Sequence, residues 1–230
     1  MCGRFALFHS REEYLTALQL PVIVNKTVDT PKWCYNISPG TNVVIIQQQE
    51  RKIELSLAYW GYAPKWWREQ GKQPLINARA ETASSSKMFS PLWNHERALV
   101  PASGWYEWKK SPDNPRIKQP YFIYARDKMP LFFAAFKARD KKGEEGGVVV
   151  LTAASRAGLK DIHDRRPLAL TLQAAREWLD NTITPPTEEM LADVYSFQAD
   201  EFAWHPVSSA IGAVRNDTAA LIAPIDSPKI

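Results

Sequence analysis

Cysteine is scarce in this chain: only Cys2 and Cys34 occur among 230 residues. Two thiols cannot build a disulfide framework and show no metal-ligand spacing, so reduced cysteines, no structural zinc and no metal site are expected. Long apolar runs are missing too. No stretch approaches the roughly 18 residues that a membrane helix needs, and no basic segment followed by an apolar run opens the chain. The expectation is a soluble cytoplasmic protein, neither exported nor inserted into a membrane. Internal repeats, low-complexity segments and linkers are absent as well. Residues 1–230 are therefore expected to form one domain, with a core from 2 to about 216 and a tail over 217–230. No exposed heptad pattern points to self-association, so a monomer without cofactors is expected.

What is present supports a substantial interior. Apolar residues make up 45% of the chain and aromatic residues 11%, enough for a sizeable core at this length. A formal charge of +4 and a pI near 9.0 tilt the surface towards anionic partners without demanding them. Gly3 to Phe8 reads as a short strand that ties down the N-terminus. Ser10 and Glu13 form a capping box for a helix carrying Tyr14, Leu15 and Leu18. Pro21 to Pro39 reads as loop. Strands are expected at Val43 to Ile46, Ile53 to Tyr59, Ala98 to Pro101, Gly104 to Trp108, Tyr121 to Tyr124, Leu131 to Phe136 and Val148 to Ala153. Helices are expected at Lys87 to His95, interrupted by Pro91, at Leu172 to Leu179 and at Thr187 to Val194. Many short strands with few helices imply an α+β fold, a curled, barrel-like, mainly antiparallel sheet with a few flanking helices.

The N-terminus carries the most distinctive chemistry. Removal of Met1 leaves Cys2 with a free α-amine and a thiol on adjacent carbons. Their reference pKa values, about 7.7 to 8.0 and about 8.5, give each some nucleophile near neutrality. Such a 1,2-aminothiol attacks one aldehyde carbon twice, first as an imine and then as a five-membered thiazolidine. A cysteine placed there incidentally is the plain alternative.

Three further polar residues stand in segments built for burial: Asn77 after Leu75-Ile76, Glu107 between Tyr106 and Trp108, and His163 after Ile162. Each has an ordinary explanation. A glutamate in an alternating strand normally faces solvent, a single histidine is often a satisfied structural group, and an asparagine is often a turn residue. Spacing alone does not bring the four together. If they meet, a carboxyl beside aromatic walls has its pKa raised for proton transfer. The histidine then titrates near neutrality and the asparagine holds an amine or an oxygen. Arg4, Arg79, Arg165 and Arg166 lie within a few positions of these residues, and arginine's planar fork suits phosphate; ion pairs with Asp161 or Asp164 are the alternative. Trp66 and Trp67, beside Lys65, offer the stacking faces that single-stranded nucleic acid uses, against a default of core packing.

Cys2-Gly3-Arg4-Phe5, Tyr35-Asn36 with Ser38-Pro39-Gly40, Trp60-Gly61, Asn77-Ala78-Arg79 with Glu81-Thr82, Gly104-Trp105-Tyr106-Glu107-Trp108, Ile162-His163-Asp164-Arg165-Arg166-Pro167 and Trp204-His205-Pro206-Val207-Ser208 occur in this order. Together they resemble the SOS response-associated peptidase (SRAP) family. The resemblance implies a protein that recognises abasic sites in single-stranded DNA and crosslinks itself to them as a thiazolidine. It implies Cys2 as nucleophile, Asn77 as the group orienting its amine, Glu107 as acid/base and His163 as a further proton-transfer residue. It also implies phosphate contacts from Arg4, Arg79 and Arg165, with Trp66 and Trp67 bordering the DNA, and a cytoplasmic protein found at the nucleoid when bound. The family name records a peptidase activity, which here would cover release of Met1. Two other readings compete: an N-terminal-nucleophile amidohydrolase, whose amine serves as its own base, and a non-covalent single-strand binder.

Overall fold

Short alternating segments build two β-sheets whose inner faces share one aromatic core. The computed structural model describes residues 2–20, 22–24, 33–49, 52–139, 145–228 and 230. The strands are β1 (Phe5–Leu7), β2 (Val22–Val24), β3 (Cys34–Ile37), β4 (Asn42–Gln49), β5 (Lys52–Tyr59), β6 (Asn77–Arg79) and β7 (Arg97–Ala102). They continue as β8 (Gly104–Lys110), β9 (Lys118–Ala125), β10 (Leu131–Arg139), β11 (Glu145–Ala154), β12 (Arg165–Pro167) and β13 (Phe202–Pro206). The helices are short: α1 (Arg11–Leu18), α2 (Lys65–Arg68), α3 (Ala80–Ala83), α4 (Ser90–Trp93), α5 (Leu172–Leu179) and α6 (Glu188–Asp193).

One sheet runs β13-β9-β8-β1-β3 and the other β12-β11-β10-β7-β4-β5-β2, with β6 added to β11. Among the described residues the strand pairings are antiparallel except β2 with β5 and β6 with β11, and Trp60 adds one parallel bridge to Val148. The expected mixed, mainly antiparallel architecture is thus present, with neither sheet closed into a barrel. Phe5 of the first sheet meets Trp60 and Phe133 at 5.2 and 6.2 Å between ring centroids, and Trp105 meets Phe133 at 6.1 Å. Such pairs add about 0.5–1.5 kcal/mol each beyond area burial. A second cluster, Ala6, Tyr106, Phe122 and Val207, covers the outer face of the first sheet. The strand pair β1–β8 is therefore buried on both sides.

Local details follow the chemistry of the residues. The Ser10–Glu13 capping box is formed. Pro91 lies in the first turn of α4, where its missing N–H costs no helical bond, so it starts this single turn instead of interrupting a longer helix. Gly147 has φ +89, and a Cβ there would lie 2.1 Å from the carbonyl oxygen of Gly61, so only glycine lets these backbones approach. Arg97, almost fully buried, donates to the carbonyls of Trp178, Asn94, Ile183 and Asp180 and so neutralises the C-terminal end of α5.

The segment expected as loop from Pro21 to Pro39 departs from that reading where it is described: Val22–Val24 and Cys34–Ile37 are edge strands. Each has three or four residues, too few to show alternation in sequence. Residues 21 and 25–32 lie outside the described residues. At the other end, Pro224 bridges to Val207 and the Ile225 amide donates to Pro206 O at 3.1 Å.

Candidate active site at the N-terminus

β8 and β11 position the site. Along β8, Trp105 and Glu107 share one face and Tyr106 takes the other, because side chains alternate. Trp105 is in the inter-sheet core, so Glu107 points inward as well and is only 2% exposed. The ordinary expectation for a strand glutamate, solvent exposure, fails because both faces of β8 are covered. β1 pairs with β8 through Phe5 opposite Trp105, and the Tyr106 amide donates to Arg4 O at 3.0 Å. Running this register back towards the terminus brings Gly3 level with Glu107, and Cys2, one residue further, lies against the Glu107 carboxyl.

β11 supplies the remaining groups. Val150 pairs with Asn77, Thr152 with Arg79, and Ala154 with Arg165. Asn77 and Arg79 share a face of β6, roughly 6.6 Å apart along the strand. His163 follows the 3-10 turn Ala157–Asp161, its amide donating to Leu159 O at 3.0 Å. Residues separated by up to 161 positions therefore converge on one cluster.

Its geometry is tight. Cys2 is 4% exposed and its thiol donates to Arg165 O at 3.6 Å. Asn77 Nδ2 donates to Cys2 O at 2.9 Å, while Asn77 Oδ1 is buried without a partner among the described residues. His163 Nδ1 lies 3.8 Å from Glu107 Oε2 and 3.0 Å from both the amide nitrogen and the carbonyl oxygen of Arg165. Glu107 Oε1 is a second buried atom without a partner among the described residues. Met1 lies outside the described residues.

Burial sets the protonation states. It pushes the Glu107 carboxyl up to about 7, partly offset by the neighbouring Cys2 side chain. It also raises the Cys2 thiol well above its ordinary range, and the neighbouring Glu107 charge adds to the shift. His163 is lowered, again chiefly by burial, and is neutral at pH 7. Its approach to Glu107 is thus not a charged pair near neutrality. The arrangement holds an acid able to give or take a proton at neutral pH against a thiol kept protonated.

The basic residues divide sharply. Arg79 is exposed and makes no ion pair among the described residues. Arg4 is half-buried, with Nη1 bonded to Asn36 Oδ1 and to Ile211 O, each at 2.6 Å. Arg165 is paired with a carboxylate, as the plain alternative foresaw, but the partner is Glu81, at 2.7 and 2.8 Å, and not Asp161 or Asp164. Arg166 is buried against Ser196 Oγ at 3.1 Å and 6.0 Å from the Phe202 ring, out of reach of a solvent phosphate. The two tryptophans differ as well. Trp66 is 40% exposed, whereas Trp67 packs on the core, bonds Gln73 O at 2.8 Å and carries Lys72 Nζ 4.2 Å above its ring.

Two contributors had no role in the sequence reading. Glu81 holds Arg165, and Asn36 holds Arg4 while its Nδ2 donates to Asn216 O at 2.6 Å and Ala213 O at 3.1 Å. Both stand in the quoted motifs, the one available signal. Roomier cavities lie elsewhere, one beside His9, Tyr14 and Trp33, but they contain none of the four clustered residues. Among the described residues no group of three His, Cys, Asp or Glu side chains could hold a metal, and no helix is long and apolar enough to cross a membrane.

The chain is 46% identical to the abasic site processing protein YedK of Escherichia coli, over 98% of this chain and 100% of that protein. It is 28% identical to the abasic site processing protein YoqW of Bacillus subtilis, over 96% and 99% of the two chains. A solved phage-related protein of Bordetella bronchiseptica superposes with a TM-score of 0.73 at 32% identity, covering 90% of this chain and 95% of the other. The family described as SOS response associated peptidase (SRAP) matches residues 1–214, and this chain belongs to it.

Proposed function

We propose that this protein processes abasic sites in single-stranded DNA by joining itself to them through Cys2. The observation that carries the reading is the desolvated Glu107 carboxyl, with a pKa of about 7, set against the Cys2 thiol. The abasic site processing named for the Escherichia coli and Bacillus subtilis relatives supports it. Met1 is first released by hydrolysis of its peptide bond, a peptidase-like step. The Cys2 amine then attacks the C1′ aldehyde of the ring-opened sugar and forms a C–N bond. The carbonyl oxygen takes up protons and leaves as water, giving an imine. The thiol adds to the imine carbon, its proton passes to nitrogen, and a thiazolidine closes with net loss of one water.

Each neighbour has a place in this sequence. Glu107, its pKa raised towards neutrality, supplies and recovers the protons. Asn77 Oδ1 accepts from the amine while Nδ2 holds the Cys2 carbonyl. Neutral His163 relays a proton at the sugar oxygen. Arg79 and Arg4 take the phosphates beside the lesion, and Trp66 stacks on a base. On this reading the chain is a one-domain monomer, its segment 217–230 folded back on the core, that works in the cytoplasm at the nucleoid and turns over once. Acyl transfer fits less well, because it needs a thiolate and the site opposes one. Passive strand binding leaves the buried carboxyl without purpose.

Intact mass after incubation with a single strand containing one abasic site tests the proposal. Wild type is expected to gain the strand mass minus one water, and Cys2→Ala none. The same result for both proteins overturns it.

A further inference from the structure

Glu81 has no part in the steps above, yet it is tied to the reacting groups through one residue. Its carboxylate accepts from Arg165 Nη1 and Nη2 at 2.7 and 2.8 Å, and its Oε1 also accepts from the Ala154 amide at 3.0 Å. Arg165 Nη2 donates further to Thr152 O at 2.6 Å and Thr152 Oγ1 at 3.1 Å. Burial works to raise the Glu81 pKa, but the bonds and charge of Arg165 together with backbone hydrogen bonds, one of them from Ala154, outweigh it and hold the carboxyl below its usual range. The Arg165 side chain is therefore clamped to β11 from two sides.

The backbone of the same residue faces the chemistry. Its carbonyl receives the Cys2 thiol proton, and its amide and carbonyl both lie 3.0 Å from His163 Nδ1. We infer that Glu81 is a positioning residue: by clamping Arg165 onto β11 it fixes the backbone groups that aim the Cys2 thiol and orient the His163 ring. A phosphate reaching this guanidinium would have to displace a bidentate carboxylate. Two roles for Glu81 then predict opposite effects. If it merely occupied a phosphate-binding arginine, removing its charge would tighten DNA binding. If it positions, removing its charge slows the chemistry and leaves binding alone.

The inference takes its catalytic meaning from the crosslinking reading, so its test has an arm that does not need DNA. Glu81→Gln, Glu81→Asp and wild type are compared in three measurements: crosslinking rate at saturating abasic strand, half-saturating strand concentration, and alkylation rate of Cys2 by iodoacetamide alone. Glu81→Gln is expected to slow crosslinking at saturation by about tenfold or more, as small misplacements of reacting groups do. Its half-saturating concentration stays within about twofold. Its Cys2 alkylation rate moves severalfold as the thiol loses its fixed acceptor. Glu81→Asp, which keeps the charge, recovers part of each loss. Tighter or weaker binding with an unchanged saturated rate overturns the inference, as does an unchanged alkylation rate, or a loss that Glu81→Asp does not relieve. If wild type forms no crosslink, the proposed function fails and the alkylation comparison still decides the clamp.

Discussion

Cys2 and Glu107 are almost wholly withdrawn from water, whereas Arg79, on β6 two residues past Asn77, and Trp66, in α2, stand open to it. The withdrawn pair has its protonation reset by desolvation, and its partners are fixed by strand pairing on both sides. The open pair has few internal bonds and is free to meet a ligand. On the proposed function, chemistry and binding fall to separate groups, and changes to each are expected to move different measurements.

The largest effect tests the floor. Glu107→Gln is expected to slow crosslinking by about 100-fold or more, the usual worth of a positioned acid/base, with unaltered affinity for an intact strand. Gel-resolved time courses with a binding titration measure both; equal losses in the two would erase the division. Next, Trp66→Ala is expected to weaken binding by about five- to tenfold, the loss of one base stack. Trp67→Ala is expected to change affinity less and to lower the thermal midpoint, since that ring is committed to the core. Fluorescence titration and melting curves separate the two tryptophans.

A smaller effect sharpens the rim. Arg79→Ala is expected to weaken binding a few-fold and to reduce the slope of log affinity against log salt by about 0.7, one single-strand phosphate contact. An unchanged slope removes Arg79 from the phosphate contacts. The smallest concerns stability. The Glu107 pKa is raised on folding from an unfolded value of 4.5 to about 7, so the native state binds the extra proton between those values. Its contribution is fully present below pH 4.5 and is lost as pH rises through 7. Glu107→Gln is expected to flatten that part of the curve in denaturant melts from pH 4 to 8.

The sequence made the α+β class, the capping box and most strand positions legible, because each depends on neighbours within a few residues. The four clustered residues were legible from motifs and not from pattern. Parity along β8 pairs Glu107 with Trp105, yet it cannot say which face is inside when Tyr106 on the other face is also fully buried. Nor could spacing reveal that Arg165 binds Glu81, 84 positions away. The adjacent tryptophans looked alike in sequence, but neighbours in a helical turn point about 100° apart, so one packs and the other is exposed.

The burial of residue 2 also constrains when the protein can mature. Cys2 is 4% exposed and leads into β1, an inner member of its sheet flanked by β8 and β3, so in the folded chain this residue offers little surface to an exopeptidase. On the proposed function, Met1 then leaves while the nascent chain is still open, or is cut by the folded site itself. On that reading a molecule that misses both occasions stays unable to react, and the fraction of competent protein becomes a record of its synthesis.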